Sequence, residues 1–176
     1  MEDPQSSSEW LDRENAAEKS NRLARLDWMA ALHAETTDYL VQGGLESIQL
    51  FNEARYCYVY GQYLAVTILG VAFVERMIAA RFYAADRNDL EQARGVDLLR
   101  AALHEGWITD AEFRQFDCMR KLRNPLVHFR RPLADGRIVM RAINEERDVF
   151  ELLKSDAEEV LKNAFIVMRR FAQWRK

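Results

Sequence analysis

Residues 120–131, RKLRNPLVHFRR, hold five basic side chains, one histidine and no acid, in a 176-residue chain whose formal net charge is −3. Arg123, Asn124 and His128 are residue types that handle phosphodiesters. A guanidinium holds phosphate oxygens through a forked pair of hydrogen bonds. An imidazole takes or gives a proton near neutral pH. An amide positions either partner. These are the parts needed to cleave RNA without a metal. A base removes the 2′-OH proton, the oxygen attacks phosphorus, and cations stabilise the charge that develops. The departing 5′ oxygen also needs an acid, and this stretch offers one histidine. Two copies facing each other would supply two, so the chemistry predicts a homodimer with the motif at a symmetric interface. The bland alternative is surface charge beside a capped helix start.

Pro125 sets the local geometry. It disfavours helix at Asn124 and suits the first position of a new helix, with Asn124 as its N-cap. One reading therefore ends a helix near Arg123 and begins another at Pro125, whose free N–H groups would favour an anion. The other passes a single kinked helix through the proline. Both place Asn124 and His128 four apart on one face. Arg120, Lys121, Arg130 and Arg131 would extend the site along an RNA backbone, or else form a solvated face. Glu75 ends a long uncharged run. It is expected either to orient Arg123 or His128 from a neighbouring helix, or to be exposed.

Other chemistry finds little support. The three histidines, His33, His104 and His128, lie far apart without metal-ligand spacing, so no metal or cofactor is expected. His33 and His104 sit near helix ends, where an imidazole suits the dipole. Cys57 and Cys118 form no CxxC pair, which fits a reduced, cytoplasmic protein. MEDPQSSSEW has neither the basic nor the apolar region of a secretory signal. The mild acidity argues against non-specific wrapping of nucleic acid and leaves room for a local basic site. Tyr56, Tyr58, Tyr60 and Tyr63 offer base stacking or, more commonly, core or interface packing.

The elements that must position these residues read as helices. Apolar residues are 49% of the chain, with 7 Gly and 3 Pro. Residues 1–20 read as a polar, partly disordered extension, with Ser8 capping a polar helix from Glu9. Residues 21–176 read as one domain. Leu23 to Leu40 carry a helical pattern that Gly43-Gly44 should end. A helix over 45–58 has Leu45, Ile48, Phe51 and Ala54 in step. Gly61 breaks or bends the chain before a helix over 62–85. That helix is apolar nearly all round, which suits a central bundle helix; a membrane span is the alternative. Residues 94–105 form a shorter helix stopped at Gly106. Thr109 and Glu112 have the spacing of a capping box opening the motif helix. Asp135-Gly136 is a turn, with Leu133 and Ile138 to Met140 in a short extended excursion. Asp156 to Trp174 is a final amphipathic helix. The fold predicted is an all-α bundle of about five to seven helices.

The stretch LLRAALHEGWITDAEFRQFDCMRKLRNPLVHF, residues 98–129, resembles the core of a HEPN domain, in which a short helix and turn lead into a helix ending in Arg-polar-x(4–6)-His. VAFVERMIAA, residues 71–80, resembles that family's central helix, including its single acid. The likeness spans roughly residues 45–175. It implies a helical, dimeric protein, with many relatives acting as metal-independent ribonucleases in toxin–antitoxin, abortive-infection and CRISPR defence, and others non-catalytic. By resemblance His128 is the acid/base, Arg123 the phosphate binder and Asn124 a positioning group. One subgroup, paired with a nucleotidyltransferase antitoxin, has a tyrosine two residues after the histidine; Arg130 stands there here, against that subgroup's tyrosine-modification regulation.

The expectation is a dimeric endoribonuclease giving 2′,3′-cyclic phosphate ends, acting as a toxin or phage-defence effector on RNA, with a cognate antitoxin or defence protein as partner and no membrane. The alternatives are a non-catalytic dimeric module that binds a partner protein or nucleotide, and an antitoxin or immunity protein contacting its target through the N-terminal extension.

Overall fold

The computed structural model describes residues 6–33, 39–40, 43–90, 93–131, 133–171 and 173–174. It is an all-α bundle. Among the described residues seven helices occur in the order α1 Ser7–His33, α2 Gly44–Val59, α3 Tyr63–Tyr83, α4 Gly95–His104, α5 Asp110–Val127, α6 Ile138–Glu145 and α7 Val149–Phe171, with a 3-10 turn at Asn88–Leu90. Two two-residue strands, β1 Tyr39–Leu40 and β2 Gln173–Trp174, pair antiparallel. The expected helical reach to Leu40 and to Trp174 is therefore corrected at both ends. The partner that makes these residues extended lies at the other end of the chain, where a local apolar period cannot register it.

α3 is the axis of the bundle and packs against α2, α4, α5 and α7. It is long and apolar enough to cross a membrane by length and composition, and its Val66, Val71, Phe73, Val74, Met77, Ile78 and Phe82 are buried inside the bundle. Phe51 of α2 meets Phe73 of α3 and Phe165 of α7, with ring centroids 5.0 Å apart in both pairs. Each such ring contributes on the order of 2 kcal/mol by leaving water. The buried stripe of α2 is Ser47, Phe51, Ala54 and Tyr58. Leu45 and Ile48, expected on it, face solvent.

Between α2 and α3 the chain breaks rather than bends. Gly61 takes φ +73°, a turn that a side chain would strain. α1 opens at a capping box two residues earlier than expected. Ser6, not Ser8, is the cap: its N–H donates to Glu9 Oε2 at 3.0 Å and Glu9 N–H donates to Ser6 Oγ at 3.2 Å. Residues 7–20, expected as a polar extension, form the first half of this helix, and nearly all of them are exposed. A second correction concerns Ile138 to Met140. They begin the helix α6 rather than an extended excursion, because Arg141 of α6 forks onto Asp156 of α7 at 2.6 and 2.9 Å and docks the segment there.

Candidate active site on the C-terminal half of helix α5

α5 starts as its sequence predicts. Thr109 N–H donates to Glu112 Oε2 at 2.8 Å, and Glu112 N–H donates to Thr109 Oγ1 at 3.3 Å. Arg170 Nη1 of α7 reaches the same Glu112 oxygen at 2.6 Å, fixing the start of α5 to the bundle. Burial alone would raise the Glu112 carboxyl; its bonds from Thr109 and Arg170 outweigh burial and hold it below the ordinary range. Phe116 and Met119 then form the buried stripe of α5. Arg123 lies one turn beyond Met119 on that stripe, so its side chain is carried toward α3.

Glu75 stands in the matching place on α3. Val71, Ile78 and Phe82, at helical spacing from it, are buried. An acid in such a stripe needs a partner, and Arg123 Nη2 donates to Glu75 Oε1 at 2.7 Å. The two side chains are 23% and 21% exposed. Of the two expectations for Glu75, the one that pairs it with Arg123 describes the structure. Arg123 Nε is buried with no hydrogen-bond partner among the described residues. Gly95, the first residue of α4, lies against the carboxylate: a Cβ there would collide with Glu75 Oε1 and come within 2.8 Å of Cδ.

The structure chooses the unbroken helix at Pro125. α5 runs through it to Val127, and His128 N–H donates to Asn124 O at 3.0 Å. Proline removes one N–H and crowds the carbonyl four residues back, but only two helical residues follow it, so little is lost. No helix begins at Asn124, and the anion-binding N-terminus does not form. Asn124 turns back instead: with its amide oxygen and nitrogen exchanged to suit their neighbours, the nitrogen donates to Arg120 O and the oxygen accepts from Arg120 Nη1, both at 3.1 Å. The end of α5 presents carbonyls, the negative end of the helix dipole. Phosphate binding here would therefore rest on side chains. His128 is the C-cap in extended backbone, φ −119° and ψ 130°, so it leaves the helical face it was expected to share with Asn124. It is exposed, and it lies between Val127, 41% exposed, and Phe129, 90% exposed.

The basic flank divides in two. Asp117 accepts from Arg120 Nη2 at 2.7 Å and from Lys121 Nζ at 2.8 Å. Burial raises the Asp117 carboxyl, and those two hydrogen bonds outweigh it, so its pKa lies below the ordinary value. Arg120 and Lys121 thus share one carboxylate, which offsets one of their two charges. Arg130 and Arg131 are exposed, and their guanidinium groups have no partner among the described residues. The structure thus joins Glu75 to Arg123 and Asn124 to Arg120, and leaves His128, Arg130 and Arg131 open. Reading the sequence missed Asp117 and Gly95. The first carries a local signal, Asp-x-x-Arg-Lys at i, i+3 and i+4; the second carries none.

The remaining aromatic and histidine residues lie elsewhere. Tyr56 and Tyr60 are exposed and stacked at 4.5 Å, whereas Tyr58 is buried. His104 is 88% exposed beside the Gly106 turn; the His33 side chain lies outside the described residues. Among the described residues no three His, Cys, Asp or Glu side chains gather so as to hold a metal ion. No protein-family model, curated protein or solved structure matches this chain.

Proposed function

We propose that this protein is a metal-independent endoribonuclease working as a homodimer, a toxin or phage-defence effector of the cytoplasm whose activity a cognate partner protein restrains. The observation that carries the reading is His128 standing exposed at the end of the helix whose Arg123 is anchored by Glu75, in a segment with no acid of its own. In the reaction His128 takes the 2′-OH proton. The 2′ oxygen bonds to phosphorus and the bond to the 5′ oxygen breaks. The His128 imidazolium of the second copy protonates that leaving oxygen. The products are a 2′,3′-cyclic phosphate and a 5′-hydroxyl. Arg123 with Arg130 and Arg131 stabilises the charge on the equatorial oxygens, and Asn124 positions Arg120. Val127 and Phe129 support dimerisation, because exposed apolar side chains flanking a polar group are what a symmetric contact covers.

The test is cleavage of single-stranded RNA in EDTA. Wild type should cleave, and His128→Ala should lose at least about 100-fold of the rate. Equal cleavage by both overturns the reading.

One observation favours a second reading, a non-catalytic HEPN-like dimeric module that binds a partner protein or nucleotide. Arg123 and Asn124 are both engaged within their own chain, as in a site whose role is to hold a shape or an anion. On that reading neither protein cleaves, and phosphate-bearing ligands protect the protein against heat through Arg130 and Arg131.

A further inference from the structure

A second concave site, an open cleft of about 230 Å³, lies near the start of α3 between α1, α7 and the facing ends of α2 and α3. Trp28, Tyr58 and Tyr63 wall it, with Trp28 and Tyr58 ring centroids 4.8 Å apart and Tyr58 and Tyr63 6.0 Å apart. Tyr58 is buried and donates its hydroxyl to Glu158 Oε1 at 2.8 Å. Arg25 is committed elsewhere on the wall. Its Nε donates to Val59 O at 2.8 Å, Nη1 to the Tyr63 hydroxyl at 3.4 Å and Nη2 to Glu18 at 3.1 Å.

Lys154 lines the same cavity, half-buried, and no hydrogen bond or ion pair among the described residues holds its ammonium. Glu158 is one turn further along α7, where the two would ordinarily meet; Glu158 is held by Tyr58 instead. One oxygen of Glu158 accepts the tyrosine hydrogen bond, and the other has no partner among the described residues. A half-buried cation and a half-buried carboxylate with spare capacity therefore share one aromatic-walled space. A simple anion there would satisfy Lys154 and leave Glu158 desolvated beside like charge; a simple cation would do the reverse. A ligand carrying both charges satisfies both. A cleft of about 230 Å³ suits a metabolite rather than a peptide or a whole nucleotide.

We infer that this cavity binds a free α-amino acid with an aromatic side chain. Its carboxylate lies at Lys154, its ammonium at the second Glu158 oxygen and the Tyr63 ring, and its ring against Trp28. Glu75 is twelve residues along α3 from Tyr63, about 18 Å of helix rise, so the site is separate from the Arg123 to His128 segment and does not rest on the ribonuclease reading.

The experiment is calorimetric titration of the full chain with L-phenylalanine, N-acetyl-L-phenylalanine and L-phenylalanine amide, on wild type, Lys154→Met and Glu158→Gln. Glutamine keeps an acceptor for Tyr58. Wild type should bind the free amino acid saturably and each capped analogue about ten-fold more weakly or worse. Lys154→Met should stop distinguishing the amide from the free acid, and Glu158→Gln should stop distinguishing the N-acetyl form. Circular dichroism of each variant checks folding; should Glu158→Gln fail to fold, the analogues on wild type and Lys154→Met decide. No binding by folded wild type at millimolar ligand, or equal affinity for the three ligands, overturns the proposal. Lys154→Met should cleave RNA as wild type does, so failure here and failure of the nuclease reading are distinguishable.

Discussion

Replacing Glu75 by alanine should release Arg123 and destabilise the fold measurably. The magnitude follows from the setting of the pair. Both side chains are about four-fifths covered, at 23% and 21% exposure, and the contact is a single 2.7 Å bond. An exposed ion pair contributes up to about 1 kcal/mol, and stripping one partner from a fully buried pair costs about 3–5 kcal/mol. This pair lies between, so Glu75→Ala should cost about 2 kcal/mol, the more so because Arg123 Nε already lacks a partner. For a chain of this size that lowers Tm by about 4–8 °C. Urea unfolding of Glu75→Ala, Arg123→Ala and the double variant gives the coupling directly. Alanine at 123 removes the stranded cation, so the double variant should be destabilised by no more than about either single change, a coupling of about 1–2 kcal/mol. Strictly additive losses would refute the claim that Glu75 holds Arg123.

Other substitutions test neighbouring contacts. Gly95→Ala supplies a better helix former, by about 1 kcal/mol intrinsically, yet its Cβ meets the Glu75 carboxylate; it should destabilise by about 1–3 kcal/mol in wild type and by little or nothing in Glu75→Ala, read by thermal melts. Asp156→Asn weakens the fork that docks α6, and should cost about 2 kcal/mol while the amides of α6 lose hydrogen-exchange protection before those of α7. Tyr58 has its phenol raised above the ordinary 10.0, first by burial and then by its bond to Glu158. Because the folded state favours the neutral form, this stability is full below pH about 10 and falls as pH rises above it. Ultraviolet titration should show one tyrosine that ionises only on alkaline unfolding, and Tyr58→Phe should abolish that step.

What the sequence made legible was mostly local. Thr109 and Glu112 name each other across three residues, so the start of α5 could be placed to the residue. The Ser6 cap carried the same spacing and was missed: of the three consecutive serines only Ser6 has a glutamate three residues on, Glu9. Pro125 left two geometries open because the cost of proline in a helix depends on how much helix follows, and two residues are few. Glu75 was legible as an acid in an apolar stripe; its partner Arg123, 48 positions away, was one of two candidates until the packing of α3 on α5 was known. α6 was misread because its docking depends on Asp156 of another helix, and Leu40 because its pairing partner is at the other end of the chain. At the candidate site, the residue types could be read from the sequence, but their engagement could not: Asp117 quiets Arg120 and Lys121, and leaves Arg130 and Arg131 as the open cations.

The central claim is that His128 moves the 2′-OH proton of RNA. The most direct measurement uses an otherwise all-deoxy oligonucleotide carrying a single ribonucleotide, in EDTA, with product ends identified by mass. The account predicts one cut, 3′ of the ribonucleotide, leaving a 2′,3′-cyclic phosphate, made by wild type and lost in His128→Ala. Cutting of the all-deoxy control, a 3′-hydroxyl product, or an undiminished cut by His128→Ala would contradict it.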